Sequence, residues 1–268
     1  MALKLAWEKW STKAATSSAP LVICHGLFGS KQNWRSLARA FNTRLSRDIY
    51  AIDLRNHGDS PHNATHTFDA MAEDIRTFCG DHGLERPVLL GHSMGGKAVM
   101  TTALKYPSMV SQLVVVDMPP VQLPLAHSFA KYAEGMRYVE QASPNRLAEA
   151  NKILAEFEPN EGIRQFLLTN LRRDSDNQLR FRVPYDLLTS SLSDIASFNA
   201  KGSYKGSTLF ITGGNSPYHQ HFVDNKDTIR SMFPNSTLET IDDAGHWVHA
   251  DKPEAFLNLV TQFLNNQH

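Results

Sequence analysis

The chain has 268 residues, 41% of them apolar, which suits one large α/β domain, or one domain with an inserted lid, around a sizeable core. Its 27 basic and 27 acidic residues balance to a formal net charge of zero, so nucleic acid and strongly anionic membrane surfaces are not expected partners. No apolar run approaches the roughly 20 residues that a membrane-spanning helix needs, so no transmembrane segment is expected.

The cysteines and the N-terminal segment bear on the cellular compartment. Cys24 and Cys79 lack the spacing of a metal-binding or redox pair, which favours reduced core thiols in a cytosolic or organellar protein. No signal-peptide apolar region precedes the first predicted buried strand. Residues 1–18 contain three lysines and one acid, as the end of a transit peptide would, but Leu3, Leu5 and Trp7 alternate as in a strand. We favour an edge strand here.

The first half of the chain alternates short apolar runs with segments of helical periodicity. Continuous apolar runs are typical of strands that are buried on both faces of a sheet. The predicted strands are Leu21–Cys24, Ile49–Ile52, Pro87–Leu90 and Val110–Val116, and the predicted helices are Asn33–Leu45, Phe68–Cys79 and Met94–Tyr106.

The alternation stops between residues 121 and 204, where helical patterns such as Arg146–Phe157 and Gly162–Leu171 replace the buried strands. We interpret residues 121–204 as an inserted helical cap, with residues 1–120 and 205–268 forming the core domain. Together these patterns predict a mostly parallel central sheet flanked by helices. The last predicted elements are strand Thr208–Thr212, helix Gln220–Met232, strand Thr237–Ile241 and helix Pro253–Leu264.

A candidate nucleophile lies at Ser93, in the Gly91–Gly95 segment that fits G-x-S-x-G between a strand and a helix. Glycines leave room for a tight turn in which the serine holds strained backbone angles and its hydroxyl stands clear of the sheet. The backbone N–H of Met94 then points to the place where an oxyanion would form.

A serine hydroxyl needs a base, and the base needs an acceptor that orients it. His246 follows the last predicted strand and is the candidate base. The other histidines in these loops have structural interpretations: His25 and His92 hold the two motif loops, and His249 lies near the next helix start.

The candidate orienting acid is Asp117, at the end of the strand next to the nucleophile strand. The loop after the penultimate strand, Thr212–Pro217, contains no acid, and Asp224 lies further on in a helix. The alternative is that Asp117 caps the start of the cap domain while Asn215 or a water orients His246.

The second oxyanion donor is expected after the first central strand, and the N–H of Leu27 is the best placed. Phe28 is a candidate for the substrate pocket, with plain core packing as the alternative. We expect the polar loop from Asp53 to Asp59 to fix its own turns rather than to catalyse. Lys97, one turn into the following helix, is interpreted as a surface or loop contact.

These motifs resemble the α/β-hydrolase superfamily, most closely the subfamily of α/β-hydrolase domain-containing protein 11, with small bacterial esterases and fungal ethanol acetyltransferases in the same wider group. The resemblance implies an α/β-hydrolase fold and a serine esterase or thioesterase whose acid follows the sixth strand in the family's own count, which here is the strand that ends before Asp117. It also implies a mitochondrial location, with the cytoplasm as the alternative because no arginine-rich presequence is evident. The segments that carry it are His25–Lys31, Arg55–Pro61, Gly91–Lys97, Gly213–Pro217 and Ala244–Ala250.

The predicted function is hydrolysis of short-chain acyl esters or thioesters through an acyl-serine intermediate, which requires no metal or cofactor. One alternative keeps the intermediate but lets ethanol accept an acetyl group. A remote alternative is a non-catalytic binding protein on the same scaffold. A dinucleotide-binding domain is not supported, because Gly91–Gly96 lacks the G-x-G-x-x-G spacing. A monomer or weak dimer is expected.

Overall fold

A seven-stranded sheet organises the molecule, for which the computed structural model describes residues 1–11, 18–123 and 128–266. In this part of the chain the sheet order is β1-β3-β2-β4-β5-β8-β9, and every neighbouring pair is parallel except β1 with β3. The strands are β1 Trp7–Trp10, β2 Leu21–Cys24, β3 Ile49–Ile52, β4 Val88–His92, β5 Leu113–Val116, β8 Thr208–Gly213 and β9 Ser236–Ile241.

The edge strand expected near the N-terminus is present as β1, which pairs antiparallel with β3 from Trp7 to Trp10. Leu3 and Leu5 precede it, and Leu5 is buried. The expectation covered residues 1–18, of which 12–17 lie outside the described residues.

Helices cover both faces of the sheet, and the central strands are therefore buried on both sides. All residues of β2, β4 and β5 are buried. On one face Ile23 belongs to the same buried apolar cluster as Phe41 and Phe256, and on the other Val22 belongs to the same cluster as Ile75. The helices of the core domain are α1 Arg35–Leu45, α2 Phe68–Asp81, α3 Met94–Lys105, α9 His219–Asp224, α10 Lys226–Met232, α11 Val248–Asp251 and α12 Pro253–Asn265.

The helix predicted over Gln220–Met232 is two helices, α9 and α10, separated at Asn225. The Asn225 side chain donates a hydrogen bond to the carbonyl of His221 at 2.8 Å. Asparagine side chains compete in this way with helical backbone hydrogen bonds, which explains the break.

A helical insertion lies between β5 and β8, and it also contains a two-stranded hairpin that the sequence patterns did not predict. The hairpin is short and carries arginines on its exposed positions, so it lacks the apolar run that marks a buried strand. Residues 124–127 of this insertion lie outside the described residues. Its elements are α4 Ser128–Ala142, α5 Leu147–Leu154, α6 Glu161–Leu168, β6 Leu171–Arg173, β7 Leu179–Phe181, α7 Tyr185–Ser190 and α8 Leu192–Ala196.

The strand register brings the predicted motif loops to one edge of the sheet. Cys24 of β2 pairs with Gly91 of β4, and His92 of β4 pairs with Val116 of β5. The loops that follow these strands therefore start side by side, at the carboxyl edge where ligands bind in parallel sheets. No helix within the described residues has the length and apolar character needed to cross a bilayer.

Candidate active site

Ser93 lies in a sharp turn between β4 and α3 with φ 54° and ψ −117°, a conformation that side-chain-bearing residues rarely adopt. Two glycines make the turn possible. A Cβ on Gly91 would lie 2.2 Å from the carbonyl oxygen of Gly95, and a Cβ on Gly95 would lie 2.4 Å from the carbonyl oxygens of Cys24 and His25. The backbone thus approaches itself too closely for any other residue at either position.

Three side chains from three different strand ends form a continuous hydrogen-bonded chain. The Ser93 hydroxyl donates to Nε2 of His246 at 2.9 Å, and Nδ1–H of His246 donates to Oδ2 of Asp117 at 2.7 Å. Asp117 is fully buried, and the other two side chains are only slightly exposed. This order of groups allows His246 to accept the serine proton while Asp117 holds the imidazole in the required tautomer.

The end of β8 and the loop after it, which contains no acid, supply hydrogen-bond donors to Asp117 instead. Oδ1 accepts from the Thr212 hydroxyl at 2.9 Å and from the Gly213 N–H at 3.2 Å, and Oδ2 accepts from the Ser216 hydroxyl at 2.5 Å. Asp117 also has a positive φ of 53°. Asn215, the alternative orienting residue, donates its backbone N–H to the Ala244 carbonyl. The carboxylate of Asp117 is thus held in place by its neighbouring strand.

The two residues predicted to donate to an oxyanion lie close to the nucleophile. Met94 is the first residue of α3, so its N–H has no acceptor within the helix. Leu27 follows Gly26, where a Cβ would lie 3.3 Å from Cβ of Ser93, and this close approach places the loop after β2 against the serine. Met94 follows Ser93 in the chain and the loop of Leu27 packs against it, and the roles of these two N–H groups as oxyanion donors stay a prediction.

His25 and His92 hold loops, as the sequence interpretation proposed. His25 accepts a hydrogen bond from the Leu54 N–H and donates to the Gly26 carbonyl, and His92 donates to the backbone carbonyl of His246 at 2.9 Å. Burial lowers the pKa of both imidazoles below the ordinary value of 6.5, so both are neutral at pH 7. His92, the residue beside Ser93, therefore positions the loop that carries His246.

His249 packs rather than reacts. Its ring stacks on Trp34 at 4.3 Å with an interplanar angle of 9°, and it contacts His92 edge-on. Burial lowers its pKa to about 3. It lies in α11, after the loop that carries His246.

Lys97 is buried, so the surface alternative for this residue is wrong and the loop contact is confirmed. Its Nζ donates to the carbonyls of Ile195, Ala196 and Ser197 at 3.1, 2.7 and 3.0 Å. Burial lowers the pKa of the ammonium to about 7. Lys97 thereby ties the helix after the nucleophile to the C-terminal end of α8 in the insertion.

The polar loop after β3 fixes its own turns, as expected. Asp53 accepts hydrogen bonds from the backbone N–H groups of Lys31 and Asp59 and pairs with the Lys31 ammonium. Arg55 makes a two-point contact with the buried carboxylate of Asp74. These charges are paired with one another, and none of the four side chains lines a pocket that Ser93 also lines.

Ser93 opens onto two compartments, one of about 650 Å³ and one of about 20 Å³. Phe129 of α4 lines both, whereas Phe28, the sequence candidate, lines neither. Phe28 is buried, its ring lies 6.4 Å from that of Phe129, and its N–H donates to His57. Phe28 therefore packs in the core and does not line the pocket in which the sequence placed it.

Comparison with known proteins agrees with this fold. A family model described as alpha/beta hydrolase fold matches residues 19–253, and the chain belongs to that family. It is 42% identical over 249 residues to the sn-1-specific diacylglycerol lipase ABHD11 of Mus musculus, covering 91% of this chain and 80% of the lipase. It is 36% identical to a probable alcohol acetyltransferase of Saccharomyces cerevisiae, over 91% and 77% of the two chains.

A solved structure of a marine microorganism esterase superposes with a TM-score of 0.91 at 30% identity, covering 98% of this chain and all of the esterase. The fold alone defines a broad family. The hydrogen bonds that join Ser93, His246 and Asp117, together with these relatives, define the class of enzyme more narrowly. The chain is a serine hydrolase of the esterase and lipase type.

Proposed function

We propose that the protein hydrolyses short-chain acyl esters and thioesters through an acyl-serine intermediate at Ser93. The observation that carries the proposal is the unbroken hydrogen-bonded chain from the Ser93 hydroxyl through His246 to Asp117, next to a cavity of about 650 Å³. A neutral serine is a weak nucleophile, and an oriented imidazole is what makes it reactive.

In the acylation half, Ser93 Oγ bonds to the acyl carbon while its proton passes to Nε2 of His246. The N–H groups of Leu27 and Met94 stabilise the oxyanion; loss of one such donor typically costs about 10² to 10³ in rate. The bond from the acyl carbon to the alcohol or thiol then breaks, and the leaving atom takes the proton from Nε2.

In the deacylation half, a water gives a proton to Nε2 of His246 and its oxygen bonds to the acyl carbon. The bond to Ser93 Oγ breaks, the serine recovers the proton from His246, and the acid leaves. Every proton is returned within one turnover, so the chemistry is complete with these side chains and water.

The test is an ester panel of increasing acyl length, with the purified protein, a Ser93→Ala variant and a Ser190→Ala control. Ser190 is an exposed serine of α7, so its replacement tests the same chemical change away from the site. We expect turnover of acetyl and butyryl esters by the protein and the control, and its loss in Ser93→Ala. Activity on long-chain esters alone would refute the short-chain proposal and favour the substrate class named for the mouse lipase.

A second candidate is acyl transfer to an alcohol by the same intermediate, which the likeness to the yeast acetyltransferase supports. Incubation with acetyl-CoA and ethanol separates the two, since a transferase forms ethyl acetate and a hydrolase forms acetate. Acetate as the main product at high ethanol concentration would reject the transferase.

A non-catalytic binding role is the remaining alternative, and labelling by a fluorophosphonate probe tests it. We expect covalent modification at Ser93 that Ser93→Ala abolishes. A folded protein that resists the probe would favour the binding role.

The mitochondrial location stays a prediction, which fractionation of the native cells would test.

A further inference from the structure

Ser93 lies at the junction of two compartments of very different size. The compartment of about 650 Å³ opens between the core domain and α6, and that of about 20 Å³ lies between α3 and α8. Both are lined by Ser93, Leu27 and Phe129. An ester bound at Ser93 has two arms, its acyl group and its leaving group. The two compartments give these arms different amounts of room.

The position of His246 decides which arm goes where. His246 lines the large compartment but not the small one, and the ring of Tyr218, which lines the small one, lies 4.9 Å from the imidazole. The leaving atom must take its proton from Nε2 of His246, so it has to lie on the side of the large compartment.

The oxyanion donors agree with this assignment. Leu27 and Met94 both line the small compartment, whereas only Leu27 lines the large one. The carbonyl oxygen lies between these two N–H groups and the leaving atom faces His246. The remaining substituent of the acyl carbon, which is the acyl chain, therefore points away from His246 and toward the small compartment.

We infer that the acyl group occupies the small compartment and the leaving group the large one, an assignment that rests on the proposed esterase function. The substrate class is then a small apolar acyl group carried on a large alcohol or thiol. About 10–15 Å³ of accessible space holds one water, so about 20 Å³ accommodates a methyl-sized group. An acetyl ester fits without displacement of side chains.

Met118 and Leu123 limit acyl length together with the other apolar side chains of the small compartment, Phe129, Ile195 and Tyr218. Met118 and Leu123 both line the small compartment and both are buried. Lys97 also lines the small compartment. Its Nζ donates to three carbonyls of the insertion, so its ammonium is not available to bind a carboxylate on the acyl group. Added methylenes must therefore push against a filled, apolar boundary.

The large compartment suits a bulky leaving group with both apolar and polar parts. The rings of Phe166 and Trp247, with centroids 6.0 Å apart, form part of its lining, together with the polar side chains of Asn33 and Asn160. None of these residues lines the small compartment.

Two isomeric esters test the assignment on the unaltered protein: butyl acetate and ethyl butyrate have the same composition but exchange the sizes of their two arms. We expect kcat/KM for butyl acetate to be at least about tenfold higher, equal to about 1.4 kcal/mol of transition-state free energy. Equal or faster cleavage of ethyl butyrate would overturn the assignment while leaving the esterase proposal intact. Absence of turnover of either ester, with no labelling of Ser93, would overturn the esterase proposal itself.

Variants locate the limit on acyl length. Met118→Ala should raise the ratio of butyrate to acetate kcat/KM for p-nitrophenyl esters by about tenfold, and Leu123→Ala should do so as well if the first variant is unstable. Ile163→Ala is the matched control, because Ile163 lines the large compartment alone. We expect this ratio to stay within about twofold in the control. An unchanged ratio in both folded small-compartment variants would contradict the inference.

Discussion

Replacement of Asp117 by asparagine isolates the proposed role of its carboxylate with almost no change in shape. Asparagine has one oxygen and one NH₂ group in place of two equivalent oxygens, so its orientation decides the outcome. The N–H of Gly213 points at the Oδ1 position and, as a backbone donor, it has to meet an acceptor there. The amide oxygen of the variant is therefore held toward Gly213, and the amide NH₂ faces His246.

The magnitude follows from the tautomer of His246. An NH₂ group at the Oδ2 position, which lies 2.7 Å from Nδ1 in the native site, requires Nδ1 to accept a hydrogen bond. Nε2 then carries the proton and is unable to accept one from Ser93. In a serine protease the same substitution lowers kcat by about 10⁴. We expect kcat/KM of Asp117→Asn on p-nitrophenyl acetate to fall by about 10³ to 10⁴.

The assay compares steady-state kinetics with circular dichroism and thermal unfolding of the same preparations, so that loss of activity is separated from loss of fold. Asp224→Asn is the matched control, because Asp224 is an exposed acid of α9 bonded to Gln220. Its activity should match that of the unaltered protein. Retention of more than about a tenth of the activity by a folded Asp117→Asn protein would refute the tautomer argument and return Asn215 or a water as the orienting group.

Two further predictions concern buried basic residues. Lys97 has a pKa of about 7 in the folded chain and ordinarily 10.5, so between these values only the unfolded chain is protonated and stability rises with pH. Lys97→Met should reduce that slope by about 1.4 kcal/mol per pH unit between pH 8 and 10 in urea titrations. The exposed Lys105→Met control should change the slope far less, and an equal effect of the two substitutions would contradict the burial of Lys97. The His249 pKa is about 3 folded and ordinarily 6.5, so between these values only the unfolded chain is protonated and stability falls with falling pH. His249→Phe, which keeps the ring on Trp34, should reduce that slope by about 1.4 kcal/mol per pH unit between pH 4 and 6, and an unchanged slope would contradict it.

The parts of the fold and site that depend on short-range sequence could be predicted. Gly91 is required by its contact with the carbonyl oxygen of Gly95 within the same turn, so the glycine spacing around Ser93 predicted the strand, the turn and the helix together, although the close contacts of Gly95 are with Cys24 and His25 of a distant segment. The position of Asp117 followed from the order of the strands and from the absence of an acid after β8.

The parts that depend on packing between distant segments could not be predicted. Thr212 ends a predicted strand and Ser216 lies in the loop after it, and only the pairing of β5 with β8 places them against Asp117. The burial of Lys97 depends on α8, which arrives about 100 residues later in the chain. The choice between Phe28 and Phe129 likewise depends on how the insertion folds over the site.

Backbone strain at Ser93 and Asp117 affects how such an enzyme responds to selection for stability. Ser93 and Asp117 both have positive φ, a conformation that costs on the order of 1–3 kcal/mol each and that glycine adopts freely. A library screened for heat tolerance alone would therefore favour relief of the strain at Ser93, whereas at Asp117 that gain is opposed by loss of the hydrogen bonds from Thr212, Gly213 and Ser216. Screens for robust variants of this chain have to retain a functional readout, because relief of the strain at Ser93 removes the nucleophile.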